Sequence, residues 1–147
     1  MLSKKSHYAF KALGYLVDRH QKGPILISEI AQNKSIPLKF LENILLELRR
    51  DGILESKKGK GGGYFLKLDP KEVSLARIIR LINGPIALIP CVSLNFYEKC
   101  ANCSEPHCGL HDVFVEVRDA TLAVLEKKSL LDLADQELDP SLELPSL

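Results

Sequence analysis

Four cysteines in one short segment are the part of the sequence with the clearest capacity for chemistry. Cys91, Cys100, Cys103 and Cys108 follow the spacing C-x8-C-x2-C-x4-C, and the C-x2-C step is a common chelating unit. Thiolates select zinc, copper(I) or iron–sulfur clusters, and spacing alone does not separate zinc from a cluster. A pair of free redox-active thiols is a further interpretation. The residues therefore predict a metal or redox site, but they do not identify which metal, cluster or thiol pair it contains.

A framework of disulfides is a weaker interpretation of the same cysteines. The sequence contains no apolar run long enough for a secretory signal or a membrane span, so we expect a cytoplasmic protein without a membrane partner. Thiols stay reduced in that compartment. With 147 residues, 46% of them hydrophobic, the chain can form a core without disulfides.

An enzyme with a cysteine nucleophile is another class of function to consider. Cys108 and His111 could share one helical face, with Asp112 nearby as an acid. No sequence feature indicates a substrate pocket or an oxyanion hole, and the cysteines are too many and too clustered for a single nucleophile. We expect neither enzymatic activity nor a small-molecule substrate.

The first half of the chain has the pattern of a helix-turn-helix. Apolar spacing predicts a helix over residues 4–20, a short helix over 29–34 capped by Ser28, and a longer helix from Leu38 to Asp51. The last two are separated by a tight turn, as in helix-turn-helix proteins.

A basic hairpin follows this unit. The strand-like runs 53–56 and 64–68 flank a glycine-rich tip that carries lysines, which is the pattern of a wing. The tip does not match the phosphate-binding loop motif and joins two strands, so we do not expect a nucleotide site. The predicted fold is mainly α with a small β wing, a winged helix-turn-helix.

Charge and residue type suggest double-stranded DNA as the partner. Residues 1–80 carry 16 Lys and Arg against 8 Asp and Glu, whereas residues 81–147 carry 4 against 11, and a basic half suits a polyanion. Each charged side chain alone could be an ordinary solvated residue, but the combination is specific. Lys39, Glu42 and Asn43 are predicted to read bases. The predicted phosphate contacts are Arg49, Arg50, Lys57, Lys58 and Lys60, and Tyr64 is a further predicted DNA-binding residue.

The second half is predicted to contain a helix over 74–83, an aperiodic cysteine segment, and a long helix. Its apolar stripe from Leu110 to Leu125 is too long for a small winged helix to cover, which favours packing against a second copy. We therefore predict four segments: the DNA-binding domain (1–84), the cysteine-rich loop (85–108), a C-terminal dimerisation helix (109–135) and a flexible acidic tail (136–147).

The segment LISEIAQNKSIPLKFLENILLELRRDGILESKKGKGGGYFLKL, followed by CGLHDVF, strongly resembles the IscR family of winged-helix transcription regulators. The similarity runs from about Ser3 to Leu133. It implies a homodimer that binds an imperfect DNA palindrome, with operator binding controlled by an iron–sulfur cluster that three cysteines and a variable fourth ligand hold. A zinc- or thiol-based regulator on the same scaffold is the alternative.

The resemblance also implies roles for individual ligands. Cys91 and Cys108 match the family's first and last cysteines, and the extra cysteine leaves Cys100, Cys103 or both as the middle ligand. His111 stands where the cluster-assembly regulators place a histidine ligand. His7 stands where other sensors place a carboxylate from the partner subunit. A 2Fe-2S cluster is favoured over 4Fe-4S, and His20 and His107 are expected to be surface residues.

Overall fold

The computed structural model describes residues 2–101, 103 and 108–134. This part of the chain contains five α-helices and one two-stranded antiparallel sheet, which confirms the predicted fold class. The elements are α1 (Lys4–Asp18), α2 (Ile27–Lys34), α3 (Leu38–Arg50), β1 (Leu54–Lys57), β2 (Gly63–Leu66), α4 (Leu75–Ile82) and α5 (Gly109–Lys127), with short 3-10 helices at Pro70–Glu72, Pro90–Val92 and Leu130–Leu133.

The helix-turn-helix is formed by α2 and α3, which pack against α1 through fully buried aliphatic side chains such as Leu13, Ile30 and Leu41. Between the two helices, Ser35 adopts a left-handed conformation with φ 52°, and Pro37 precedes the first residue of α3. This tight turn fixes the angle at which α3 leaves the core.

The predicted capping role of Ser28 is wrong. The helix begins at Ile27, so Ser28 is its second residue, and Leu26 holds the capping position without a side-chain hydrogen bond. The reason lies in Ile25, whose backbone pairs with Tyr64 through two hydrogen bonds of 2.8 Å. This pairing keeps the chain extended up to Leu26, whose carbonyl then accepts the first helical hydrogen bonds.

The wing consists of β1 and β2, paired from Leu54 opposite Leu66 to Lys57 opposite Gly63. The bridge between Ile25 and Tyr64 ties this hairpin to the chain that enters α2. Gly63 has φ 142°, and a Cβ at this position would overlap the Ile25 carbonyl group. Only glycine therefore allows the wing to approach the helix-turn-helix so closely.

The C-terminal helix is shorter than predicted, because α5 ends at Lys127 rather than at residue 135. Ser129 and Asp132 form a capping box for the next 3-10 helix, and Leu130 is fully buried among the residues of α1 and its neighbours. The Leu130 N–H also donates to the Val73 carbonyl at 2.9 Å. The chain therefore turns back into the core of the predicted 1–84 domain, while residues 135–147, including the predicted tail, lie outside the described residues.

None of the helices among the described residues is both long and apolar enough to span a bilayer.

Candidate metal centre and nucleic-acid interface

All four cysteines line one cavity of about 580 Å³. Each is a free thiol and each is half-buried. His111 also lines the cavity, together with apolar residues that include Ile89 and Leu110. The structure thus brings together five of the six predicted metal ligands.

Two local structures hold the ends of this cavity. Cys91 lies in the 3-10 helix Pro90–Val92, and the Glu98 N–H donates to the Pro90 carbonyl at 3.3 Å, which closes the intervening loop. Cys108 is the N-cap residue of α5. The cavity therefore lies between a short turn and the positive end of the longest helix.

The N-terminus of α5 lowers the pKa of the Cys108 thiol. The pKa of Cys108 is lowered, first by the backbone N–H of His111 and next by the Cys103 side chain, while partial desolvation and the charge of Asp112 oppose the shift. The backbone N–H of Leu110 also contributes to the lowered pKa of Cys108, so amides of the first turn of α5 stabilise the thiolate. Thiolate is the form that binds a metal ion.

The residues fit a thiolate-ligated centre in their chemistry and in their placement around one cavity. In the described part of the chain, no three Cys, His, Asp or Glu side chains are already gathered around a single point where a metal ion could lie. Four soft donors on a partly apolar wall are nevertheless the set that zinc or an iron–sulfur cluster uses.

The four histidines have different surroundings. His111 faces the cavity, and its Nδ1 lies 3.4 Å from Asp112 Oδ1. His7 is exposed on α1 and is not among the residues that line the cavity of this chain. His20 is half-buried beside the wing, and His107 lies outside the described residues.

The polar face of α3 is exposed. Lys39, Glu42 and Asn43 are exposed near its N-terminus, where recognition helices usually read bases. Lys39 Nζ lies 4.0 Å from Glu42 Oε2, a pairing that exposed side chains can exchange for contacts with DNA. Phe40, in the same turn, is 52% exposed although it is a large apolar residue.

The other predicted DNA contacts lie at the end of α3 and on the wing. Arg49 and Arg50 are exposed in the last turn of the helix, and Lys57, Lys58 and Lys60 are exposed around the hairpin tip. Tyr64 is half-buried, packs against the core and anchors the base of the wing through its backbone.

Two arginines that sequence reasoning missed connect these regions. Arg77 of α4 contacts Asp51, the C-cap of α3, with Nη2 at 2.8 Å from the carboxylate and at 3.0 Å from the Asp51 carbonyl oxygen. Arg118 of α5 donates from Nη1 to the Val92 carbonyl oxygen at 2.7 Å. No local pattern marks either residue, since each partner is 26 positions away.

The helix-turn-helix, its exposed polar face and the lysine-tipped wing define a winged-helix DNA-binding transcription regulator. The chain belongs to the Rrf2 family: residues 2–136 match the family whose description is iron-dependent transcriptional regulator. The resemblance to IscR-type regulators is thereby confirmed at the level of the family.

Individual relatives agree with this assignment. A helix-turn-helix regulator of Rhodobacter capsulatus, named rrf2-like, is 39% identical over 137 residues, which cover 90% of this chain and 91% of that protein. The structure of CymR, the global cysteine regulator of B. subtilis, matches with a TM-score of 0.75 at 30% identity over 91% of this chain and 95% of that one. IscR of T. potens matches with a TM-score of 0.73 at 24% identity over 90% and 85% of the two chains, which supports the fold. These relatives carry the names of transcription regulators, not of enzymes.

Proposed function

We propose that the protein is a homodimeric regulator whose operator binding is controlled by an iron–sulfur cluster held in the cysteine cavity. The observation that carries the proposal is the convergence of all four cysteines on one cavity at the N-terminus of α5. The description of the family as iron-dependent supports an iron centre over zinc.

Cys91 and Cys108 are the outer ligands in this proposal, and Cys100 and Cys103 are both available between them. Four thiolates would complete the coordination of a 2Fe-2S or 4Fe-4S cluster, of which we favour 2Fe-2S. If only three cysteines bind, His111 is the fourth ligand that the same cavity offers, and His7 is the candidate that a second subunit would have to supply. A bound cluster would provide a redox-active centre that oxidants, nitric oxide or iron scarcity can remove.

The exposed face of α5 supports a dimer. Leu122 is the helix's only buried residue in the described chain, whereas Leu110, Val113 and Val124 are each more than half exposed. With Val117, which is 37% exposed, these residues lie at steps of three, four and seven along one side of the helix, the pattern of a helix that packs on another helix. A twofold axis beside α5 would present two recognition helices to the half-sites of an imperfect palindrome, about 34–36 Å apart.

The experiment starts from protein purified without oxygen. We expect iron and sulfide in the wild type, with the visible absorption of a cluster, and loss of both when Cys91 and Cys108 are changed together to alanine. Replacing His20, which lies outside the cavity, with alanine is the matched control. Iron content unchanged in the double variant would exclude a cluster at this site.

Regulation is measured with an operator that the wild type selects from a random duplex pool. We expect the cluster-loaded and cluster-free proteins to differ in affinity by at least about fivefold, the lower end of typical allosteric coupling. Equal affinities would contradict control by the cluster and leave a plain operator-binding protein.

A zinc- or thiol-based regulator is the second candidate. The observation that favours it is the interaction between the Cys103 and Cys108 side chains beside the N-terminus of α5, where a thiolate is stabilised. Colourless protein with bound zinc would support the zinc form. Metal-free protein whose operator affinity responds to peroxide would support the thiol form.

A further inference from the structure

The helix α5 packs against α4 and against the turn at Pro90–Val92. Leu122 of α5 is buried. Two arginines form the polar links between α5 and other elements of the described chain. Arg80 of α4 reaches Glu126 near the end of the helix at 3.4 Å, and Arg118 reaches the turn that contains Cys91. Only the second link contacts the 3-10 helix that contains Cys91.

The environment of Arg118 makes its contact with that turn unusually well defined. Its side chain is only 14% exposed, and Nη1 donates to the Val92 carbonyl oxygen at 2.7 Å. On its other side, Asp119 Oδ1 accepts from Nε at 2.9 Å and lies 2.8 Å from Nη2, which orients the planar guanidinium group. A short hydrogen bond from a charged, planar and oriented donor is strong and geometrically specific.

Val92 follows Cys91 directly and is only 2% exposed, so the turn cannot move without moving the carbonyl group that Arg118 binds. Arg118 also follows Val117, which belongs to the exposed apolar face of α5. The guanidinium group therefore connects the backbone beside a proposed cluster ligand to the helix face proposed to meet the partner subunit.

We propose that Arg118 is the positioning residue that transmits the state of the Cys91 turn to α5. The inference rests on the proposed function, since it specifies how a centre held by Cys91 would alter the dimer. A bound centre fixes the turn at Pro90–Val92, and Arg118 then fixes the position of α5 relative to it. Loss of the centre releases the turn, and the constraint on the middle of α5 is lost with it.

The test compares Arg118→Gln with Arg80→Gln in the anaerobic full-length protein. Both changes remove one polar link of α5, but only the first acts on the cysteine turn. For each protein, iron and sulfide content, the visible circular dichroism spectrum, and affinity with and without the cluster are measured on the operator selected by the wild type. We expect the affinity ratio of the two states to remain at least about fivefold in the wild type and R80Q, and to fall within about twofold of unity in R118Q.

R118Q that keeps both its cluster and the wild-type affinity ratio would overturn the inference. A wild type without iron and sulfide would instead overturn the proposed function, so the two failures are distinguishable. Arg118→Lys retains one charged donor, and we expect it to restore part of the ratio.

Hydrogen exchange of the wild type provides a measurement that does not depend on the folding of any variant. Removing the cluster should accelerate exchange at residues 115–122 of α5 as well as in the Cys91 turn. Acceleration confined to the turn would show that the signal does not reach the helix, and would contradict the role of Arg118.

Discussion

At the scale of single residues, we expect the wing lysines and the α3 side chains to contribute differently to DNA binding. Lys58 is exposed at the hairpin tip, where a lysine contacts phosphates as a point charge. We expect Lys58→Gln to weaken binding to all duplexes alike and to reduce the slope of log affinity against log salt by about 0.9 for each protomer. Titrations at several salt concentrations measure this slope.

Asn43→Ala is the comparison for that experiment. Because Asn43 carries no charge and is exposed in the N-terminal half of α3, its loss should change base preference while leaving the salt slope intact. A reduced slope in N43A, or altered base preference in K58Q, would contradict this division of roles.

The hydrogen bond of Tyr15 links α1 to α2, and its contribution to stability can be measured. The Tyr15 hydroxyl group donates to Glu29 Oε1 of α2 at 2.7 Å, and the Arg19 guanidinium group lies 3.5 Å from the Tyr15 ring centroid. Tyr15→Phe should lower the free energy of unfolding by about 1 kcal/mol, because the ring stays buried and only the hydrogen bond is lost. Urea unfolding measures this change. Tyr8→Phe, at a half-buried ring on the same helix, is the control and should be nearly neutral.

The same tyrosine predicts a loss of stability in alkali. Burial, and next the hydrogen bond to Glu29, raise the pKa of Tyr15 above its usual value. The unfolded chain then releases this proton at a lower pH than the folded chain does. The contribution of the protonated Tyr15 hydroxyl to the free energy of unfolding is therefore complete below about pH 10, and it declines as the pH rises through the pKa of the folded state. Urea titrations of the wild type and Y15F above pH 9.5 should converge as it is lost.

At the scale of elements, a capping box stabilises the 3-10 helix that follows α5 and brings Leu130 back to the core. The Ser129 N–H donates to Asp132 Oδ2 at 2.8 Å, and the backbone N–H of Ser129 is the main cause of the lowered pKa of Asp132. A lowered pKa contributes stability above the ordinary Asp value of about 4, and this contribution is lost as the pH falls through the folded value.

Asp132→Asn should therefore lower the midpoint of urea unfolding at pH 7 and have a smaller effect near pH 3. Glu72→Gln, an exposed acid in another 3-10 helix, controls for the general loss of a negative charge. An equal effect of D132N at both pH values would show that the carboxylate form does not stabilise this turn.

The elements also show how much the sequence could predict. The three helices of the first half, the wing and the start of α5 follow from apolar spacing and glycine placement. The start of α2 and the end of α5 were misjudged because distant contacts decide them: Ile25 pairs with Tyr64, and Leu130 enters the core beside Val73. The cysteines indicated a metal site by their spacing, but Arg118 could not be recognised, because its partner is a backbone carbonyl group.

At the scale of the whole molecule, we expect negative charges introduced on the exposed apolar face of α5 to dissociate the proposed dimer. Val113→Glu with Val117→Glu would place four carboxylates in the proposed twofold interface, where burying them is costly. We expect a monomer by light scattering and operator affinity reduced at least about 100-fold, because the half-sites no longer act together. Glu116→Gln on the same helix is the control. A double variant that stays dimeric would place the interface elsewhere.

The burial of Leu130 affects when the amino-terminal module can fold during synthesis. Because this side chain completes packing begun by α1, the amino-terminal module cannot finish folding until the 3-10 helix Leu130–Leu133 has left the ribosome. Operator binding should therefore begin only after this helix has been synthesised and has joined the core. Translation products that stop within α5 would leave a gap beside α1, and quality-control proteases should remove them before they occupy a promoter.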